Sequence, residues 1–355
     1  MTSGNKHNKQ SGGKIGGGVI SIAIAAFFLY LAFRNVDLKQ SFVLMENASP
    51  LYFFLFVFLF VFTNLIRTLR WKLILSGVKN DVSLLNIFSS MMIGYGINLI
   101  IPRLGEIYRA FFLGKWEGIS RTSIFGTVIV ERIIDILALF LATFISVLIY
   151  NGDIYSQIPW LKTTLVTGGA ISTSLLLGVI LIVLSGEKSY GFILNLVSRF
   201  STKFSETLQG IFESLVEGFA SVRGTTKIIS IIIYTALIMI FYGLNSLVAF
   251  YMLGIENFPG ANYTTAWILM TISAFGIVIP TPGGIGSYHA IVIFVLTTLF
   301  GFSADSSAAY AILTHIISYF GFIFLAAVSL FFANKRQLKL GFPKQNFWSV
   351  LKRED

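Results

Sequence analysis

The chain has no cysteine, three histidines and only 16 acidic residues in 355. Without thiols there is no disulfide framework, no thiolate metal site and no thiol nucleophile, and three histidines give no pattern for a metal cage. No metal and no cofactor is expected. Charge of either sign is scarce: 12% of residues are charged and 55% are hydrophobic. The apolar residues fall in runs too long for a soluble core, so the expected solvent is lipid. The few charges are mostly basic, for a net +10. They flank apolar segments instead of gathering on one face, which makes anionic or zwitterionic membrane lipid the expected partner and argues against nucleic acid. Composition leaves a homo-oligomer open.

What is present is a succession of apolar stretches. Gly17 to Phe33, Leu51 to Leu69, Ser123 to Tyr150, Thr164 to Leu184, Ile228 to Leu253 and Ala308 to Ala333 are each long enough to cross about 30 Å of hydrocarbon. The first ends in Phe33-Arg34 without a small-residue cleavage site, so an uncleaved anchor is expected. Residues 1–16 are polar and glycine-rich and read as a disordered tail. Between Arg199 and Arg223, apolar residues at helical spacing oppose Glu206, Glu213 and Glu217, the pattern of an amphipathic surface helix. A basic tail, 334–355, follows the last span. The lysine and arginine bias of the loops places both termini on the cytoplasmic side.

Two further apolar stretches are interrupted. They are Leu84 to Ile101 with Gly105 to Leu113, and Thr264 to Ile279 with Ser287 to Phe300. The loop charges close only if the first starts and ends inside and the second starts and ends outside, or if each pair spans twice. The fold class expected is an all-α polytopic membrane protein, with about six spanning helices and two oppositely oriented re-entrant broken-helix hairpins. The breaks resemble one another. "GINLIIPRLGEIYRAFFL" and "GIVIPTPGGIGSYHAIVIF" each run through Ile-Pro to a glycine three residues on, Gly105 after Pro102 and Gly283 after Pro280, then a tyrosine and more aliphatics. With opposite orientations this points to an inverted repeat. Proline and glycine expose peptide groups that lipid cannot satisfy, so the breaks must face protein or a wet cavity. The helix N-termini that follow are ready anion sites, with Ser287 as the expected N-cap of the second.

The charged residues inside these segments are the candidate site. Arg103, Glu106 and Arg109 stand three apart and read as one stripe whose two arginines could grip a phosphate. Glu131, Arg132 and Asp135 lie about 12 to 18 Å into a span, where ionisable groups are costly and mark a pathway or a pair. Arg132 and Asp135 can pair within the helix, leaving Glu131 to seek Arg103 or Arg109. Arg67 and Arg70 lie at a span end and read as snorkelling. His315 reads as a packing residue, and His289 as a group that could hydrogen-bond or exchange a proton at the cavity. A purely structural ion network is the alternative reading.

"NLIIPRLGEIYRA", starting at Asn98, "VIVERIIDILAL" and "IPTPGGIGSYHA", in that order, resemble the lysylphosphatidylglycerol synthase transmembrane-domain family of flippase-like membrane proteins. The resemblance covers roughly Gly17 to Ala333. It implies a multi-pass protein of the cytoplasmic (inner) membrane linked to lipid translocation and sets the family motifs on Pro102, Arg103, Gly105 and Glu106, on Glu131, Arg132 and Asp135, and on Pro282, Gly283, Gly284 and Gly286. Many relatives carry a glutamate where this chain has His289. The residues after Ala333 are too few for the soluble domain that makes lysyl-lipid, so synthase activity is not expected. The expected function is movement of a phospholipid or lipid-linked headgroup between leaflets. The alternatives are a membrane-embedded enzyme acting on a phosphate-linked lipid, with Glu106, Glu131 or Asp135 as base, and a carrier of a small soluble solute.

Overall fold

The computed structural model describes residues 9–185, 187–202, 205–206, 208–210, 212–213, 216, 224–279, 281–347 and 349. The helices are α1 (Lys9–Phe33), α2 (Leu38–Glu46), α3 (Pro50–Leu75), α4 (Leu84–Ile100), α5 (Gly105–Glu117), α6 (Arg121–Ile149), α7 (Ile154–Gln157), α8 (Pro159–Ser185), α9 (Glu187–Ser198), α10 (Thr225–Met252), α11 (Tyr263–Ser273), α12 (Ser287–Phe300) and α13 (Ala304–Lys339). Among the described residues no strand occurs. Among the described residues five helical segments are long and apolar enough to cross a membrane, α3, α6, α10, Pro282–Phe300 and α13, and the α1–α2 pair, bent by 86°, makes a sixth if it is one broken span. The protein is an all-α, multi-pass membrane protein.

Local chemistry sets the helix ends. Pro50 opens α3. The side chains of Asp37, Ser120, Asn262 and Ser303 accept backbone N–H groups at the starts of α2, α6, α11 and α13, supplying partners that the first turn of a helix lacks. Gly118 and Gly301, at φ 63° and 69°, end α5 and α12 in the left-handed conformation that glycine adopts without penalty. Three expectations are corrected. Helix α1 starts at Lys9, inside the expected disordered tail, because the backbone ladder of the apolar run continues through its glycines. Helix α13 continues past Ala333 to Lys339 and is tethered there, with Gln337 Nε2 donating to the Trp116 carbonyl (3.3 Å). Between the first two expected spans, Gly17 to Phe33 and Leu51 to Leu69, lies a further helix, α2, too short to show in apolar run length. The expected amphipathic helix near 199–223 lies largely outside the described residues.

Both interrupted stretches fold back on themselves. In the first, α4 and α5 approach so closely that a Cβ on Gly94 would stand 2.8 Å from the Gly105 carbonyl oxygen. Asn98 Oδ1 accepts the Gly105 N–H at 2.7 Å and closes the turn. In the second, α11 continues through a 3-10 turn, Ala274–Val278, and α12 returns beside it, with Ser287 Oγ donating to the Gly276 carbonyl (2.7 Å). The link includes a short turn, Pro282–Gly284, in which Gly283 and Gly284 take φ of 58° and 77°. Pro280 lies outside the described residues.

Helix α13 holds the two hairpins end to end. Its first half meets α12, where Tyr288 and Thr314 share a hydrogen bond at 3.0 Å. Its second half meets α4, where a Cβ on Gly96 would contact Ala326. Between these, Tyr319 and Leu99 close around Gly283, so the tips of the hairpins touch. This is the geometry of two broken helices of opposite orientation meeting inside one bundle. Helix α3 runs antiparallel to α10, matching Tyr52 with Tyr251 and Phe62 with Phe241 in ring contact.

Because a Cβ on Gly105 would overlap the Gly94 carbonyl, Gly105→Ala should destabilise the purified protein by about 1–3 kcal/mol. Gly169→Ala, where nothing lies within 4 Å, should leave the thermal midpoint in detergent unchanged or slightly raised. Equal midpoints for the two variants would contradict the close packing.

Candidate functional site: a buried arginine–carboxylate network

Three helices bring charge to one place and a fourth lends neutral acceptors. Helix α6 buries Glu131, ten residues from its start at Arg121, about 15 Å along the axis. Helix α5 lays Arg109 beside it, and the two form an ion pair. Helix α3 adds Arg67 and Arg70, one turn apart on the same face. Arg70 pairs with Asp135 at 2.5 Å and with Glu131 at 3.4 Å. Arg67 pairs with Asp135 at 2.9 Å and stands 3.6 Å from Glu131. Helix α10 contributes acceptors, as the Tyr242 hydroxyl takes a bond from Arg67 (2.6 Å) and Thr235 one from Arg70 (3.1 Å).

The network has a buried end and an open end. Arg70, Arg109 and Glu131 are 0–1% exposed. Trp71 stacks under the Arg109 guanidinium at 3.8 Å and donates its indole N–H to Thr127 (3.0 Å). Towards the open end Arg132 is 33% exposed and pairs with Asp135 at 3.4 Å and with Glu106 at 3.5 Å. Glu106 in turn accepts from Asn98 Nδ2 at 3.1 Å, which ties the tip of the first hairpin to the network.

Four guanidiniums, Arg67, Arg70, Arg109 and Arg132, thus face three carboxylates, Glu106, Glu131 and Asp135, leaving one positive charge over. Arg109 Nε and Nη1, the Nε atoms of Arg67 and Arg70, and the Tyr95 hydroxyl are buried without a hydrogen-bond partner in the protein. Desolvating two charges offsets most of what their attraction returns, so such a cluster is a poor device for stability alone. An excess cation with free donors is a device for holding an anion, since Arg presents paired N–H groups that match phosphate oxygens.

Of the two partners expected for Glu131, Arg103 and Arg109, it is Arg109 that pairs with it, and the expected Arg132–Asp135 pair is present. Arg103 departs from its expected place. It precedes α5 in a left-handed conformation, φ 68°, and is exposed, so the stripe begins at Glu106. Pro102, beside it, is also exposed. Arg67 and Arg70 do not snorkel but turn inward, because Glu131 and Asp135 offer charge partners that lipid does not. The signal was their three-residue spacing next to Trp71. Free N–H groups at the two restarted helices are also partly taken. Asn98 holds that of Gly105, and the Gly286 N–H points to His289 Nδ1 at 3.4 Å. Gly286, not Ser287, precedes α12, and Ser287 turns back to Gly276 and to Thr281 (3.0 Å).

His289 and His315 form a second polar cluster. Their rings lie 4.8 Å apart, with Tyr288 and Tyr319 against His315. Among the described residues no hydrogen bond or ion pair joins this cluster to the arginine network.

The chain matches the family described as lysylphosphatidylglycerol synthase TM region over residues 18–326. It is 26% identical over 309 residues to a UPF0104 membrane protein of Methanothermobacter thermautotrophicus, covering 84% of this chain and 88% of that one. A second UPF0104 membrane protein, of Methanocaldococcus jannaschii, is 26% identical with 86% and 92% covered. The glycosyltransferase AglD of Haloferax volcanii is 22% identical, covering 83% of this chain and 50% of its own length. No solved structure matches the chain.

Arg70→Met takes one charge-assisted contact from Asp135 and one from Glu131, each of which keeps another arginine, so it should destabilise by about 1.5–3 kcal/mol. Asp135→Asn made with it should restore part of that loss, with a coupling of about 1–3 kcal/mol in a double-mutant cycle of unfolding. Strict additivity would contradict a direct pair.

Proposed function

Because the chain belongs to the family of lysylphosphatidylglycerol synthase TM regions, we propose that it moves the phosphate-bearing headgroup of a lipid between the leaflets of the cytoplasmic membrane. One observation carries this reading: a network with one more guanidinium than carboxylate, buried among α3, α5, α6 and α10, whose guanidiniums keep unpaired N–H donors. In a membrane span such a group seeks an anion. The anion that arrives there in quantity is a lipid phosphate.

The chemistry follows from the two ends of the network. Arg103, exposed at the tip of the first hairpin, and Arg132, partly exposed, meet the headgroup first. Arg109 then offers Nε and Nη1 to the phosphate while its Nη2 stays on Glu131. Each charge-assisted bond contributes about 1.5–3 kcal/mol, enough to offset part of the headgroup's dehydration. Glu131, Asp135 and Glu106 keep the cluster near neutrality when no headgroup is bound, so it does not hold the anion irreversibly. The acyl chains stay in the bilayer. Under the orientation read from loop charge, the network faces the cytoplasmic half and the second hairpin the opposite half, so the touching tips separate two half-sites.

The name of the relative AglD raises the reading of an enzyme acting on a lipid-linked sugar. The three carboxylates of the network are each held by an arginine here, which opposes their use as a general base.

Reconstitution into vesicles with fluorescent phospholipids checks the proposal. Exchange between leaflets should exceed that of empty vesicles, fall roughly tenfold or more in Arg109→Lys, which keeps the charge but loses the fork, and fall less in the exposed Arg103→Gln. Exchange equal to empty vesicles for every headgroup tried would overturn it. A change in the chemical identity of the lipid, read by mass spectrometry, would favour the enzyme.

A further inference from the structure

Helix α1 runs parallel to α12, Ala25 lying against Gly286 and Phe33 against His289. They touch where a Cβ on Gly286 would stand 2.5 Å from the Ala25 carbonyl. Beyond that contact they leave between them a cavity of about 500 Å³. Phe28 and Leu31 of α1 and Ile291 and Phe294 of α12 line it, and Trp160, at the start of α8, and Arg34 also border it. Phe28 and Leu31 on α1 and Arg34 just after it are three residues apart, and the Arg34 N–H still donates to the Tyr30 carbonyl (3.0 Å), so they form one row ending in a cation.

Arg34 directly follows the apolar helix α1 and is exposed. Among the described residues it has no carboxylate within ion-pair distance. Its neighbour Trp160 carries an indole on an apolar body. Cation and indole together mark the level where hydrocarbon gives way to headgroups, and the phenyl and aliphatic lining lies on the hydrocarbon side of them. The site therefore has a charged end and an apolar body in the order of a phospholipid. Free phosphate would use only Arg34. A peptide would bring backbone polar groups that this lining cannot satisfy.

We propose that this groove binds one anionic glycerophospholipid, its phosphate on Arg34 and one acyl chain between α1 and α12. Under the loop-charge orientation it lies in the leaflet opposite the arginine network. As the receiving end of a translocation path it rests on the function proposed above; as a lipid site it stands without it.

The test uses the full chain in nanodiscs with a phosphatidylglycerol probe bearing a photoactivatable acyl chain, and a diacylglycerol probe with the same chain. Peptide mapping after irradiation should find the phosphatidylglycerol adducts concentrated around Phe28, Leu31 and Phe294. They should fall roughly tenfold in Arg34→Gln, the weight of one charge-assisted hydrogen bond, and be retained in Arg34→Lys. Diacylglycerol labelling should not respond to either change. Adducts no denser there than on the exposed Phe320 and Phe324 of α13, or unchanged in Arg34→Gln, would overturn the site. Leaflet exchange on the same preparations separates the two ideas. Groove adducts without exchange sink translocation and keep the site, and exchange without groove adducts does the reverse.

Discussion

A charge placed in hydrocarbon must find a partner, and this requirement organises the inner part of the molecule. Glu131 cannot face lipid, so α6 turns it towards Arg109 and Arg70, and the helices carrying those arginines are drawn to one axis. Asp135 does the same for Arg67. Removing Glu131 would strand Arg109, whose ion pair it is, and the shared pairs tie α3, α5 and α6 together more specifically than their apolar faces could. Apolar side chains pack equally well on lipid tails, so in a bilayer small contacts and polar pairs decide which helices meet.

The same rule governs the broken segments. Interrupted backbone survives in a membrane only against protein or water. Here Gly94 and Gly105 let α4 and α5 close on each other, while Asn98 satisfies the Gly105 N–H and also holds Glu106. The turn and the ion network are therefore one unit, since the asparagine that closes the hairpin also orients a carboxylate of the site. In the second hairpin Ser287 donates to the Gly284 carbonyl of the turn and His289 accepts the Gly286 N–H, taking up backbone groups that the break leaves open. Helix α13 touches both units, and Tyr319 is where they meet. Movement of one tip would thus be felt at the other.

Much of this was legible in the sequence. The spans, the two breaks and their likeness came from apolar length and from proline and glycine, which act locally. That Glu131 would pair with Arg103 or Arg109 followed from the cost of an unpaired carboxylate, and the structure selects Arg109. What could not be read was rotation. Arg67 and Arg70 sit near the end of an apolar run, and position along a helix does not say whether a side chain faces water or a neighbour; only the place of Glu131 and Asp135 on another helix decides that. Arg103 looked like the first member of a helical stripe, but it adopts a left-handed turn before the helix begins. Ser287 looked like a cap, but Gly286 fills that position and frees the hydroxyl for Gly276. Tyr95, Thr235 and Tyr242, which complete the surroundings of the arginines, carry no sequence mark at all.

The central claim is that the arginine network borders a space reached by water and headgroups and is not a sealed structural clasp. Because the chain has no cysteine, a single thiol can report on it. Tyr95 lies under Arg67, 5.3 Å from its guanidinium, with its own hydroxyl unpartnered. In Tyr95→Cys, a charged, membrane-impermeant thiol reagent should label the site from one side of the membrane only, and added anionic phospholipid should slow the reaction. A thiol that reacts from neither side, at any lipid composition, in protein that remains folded would contradict the account.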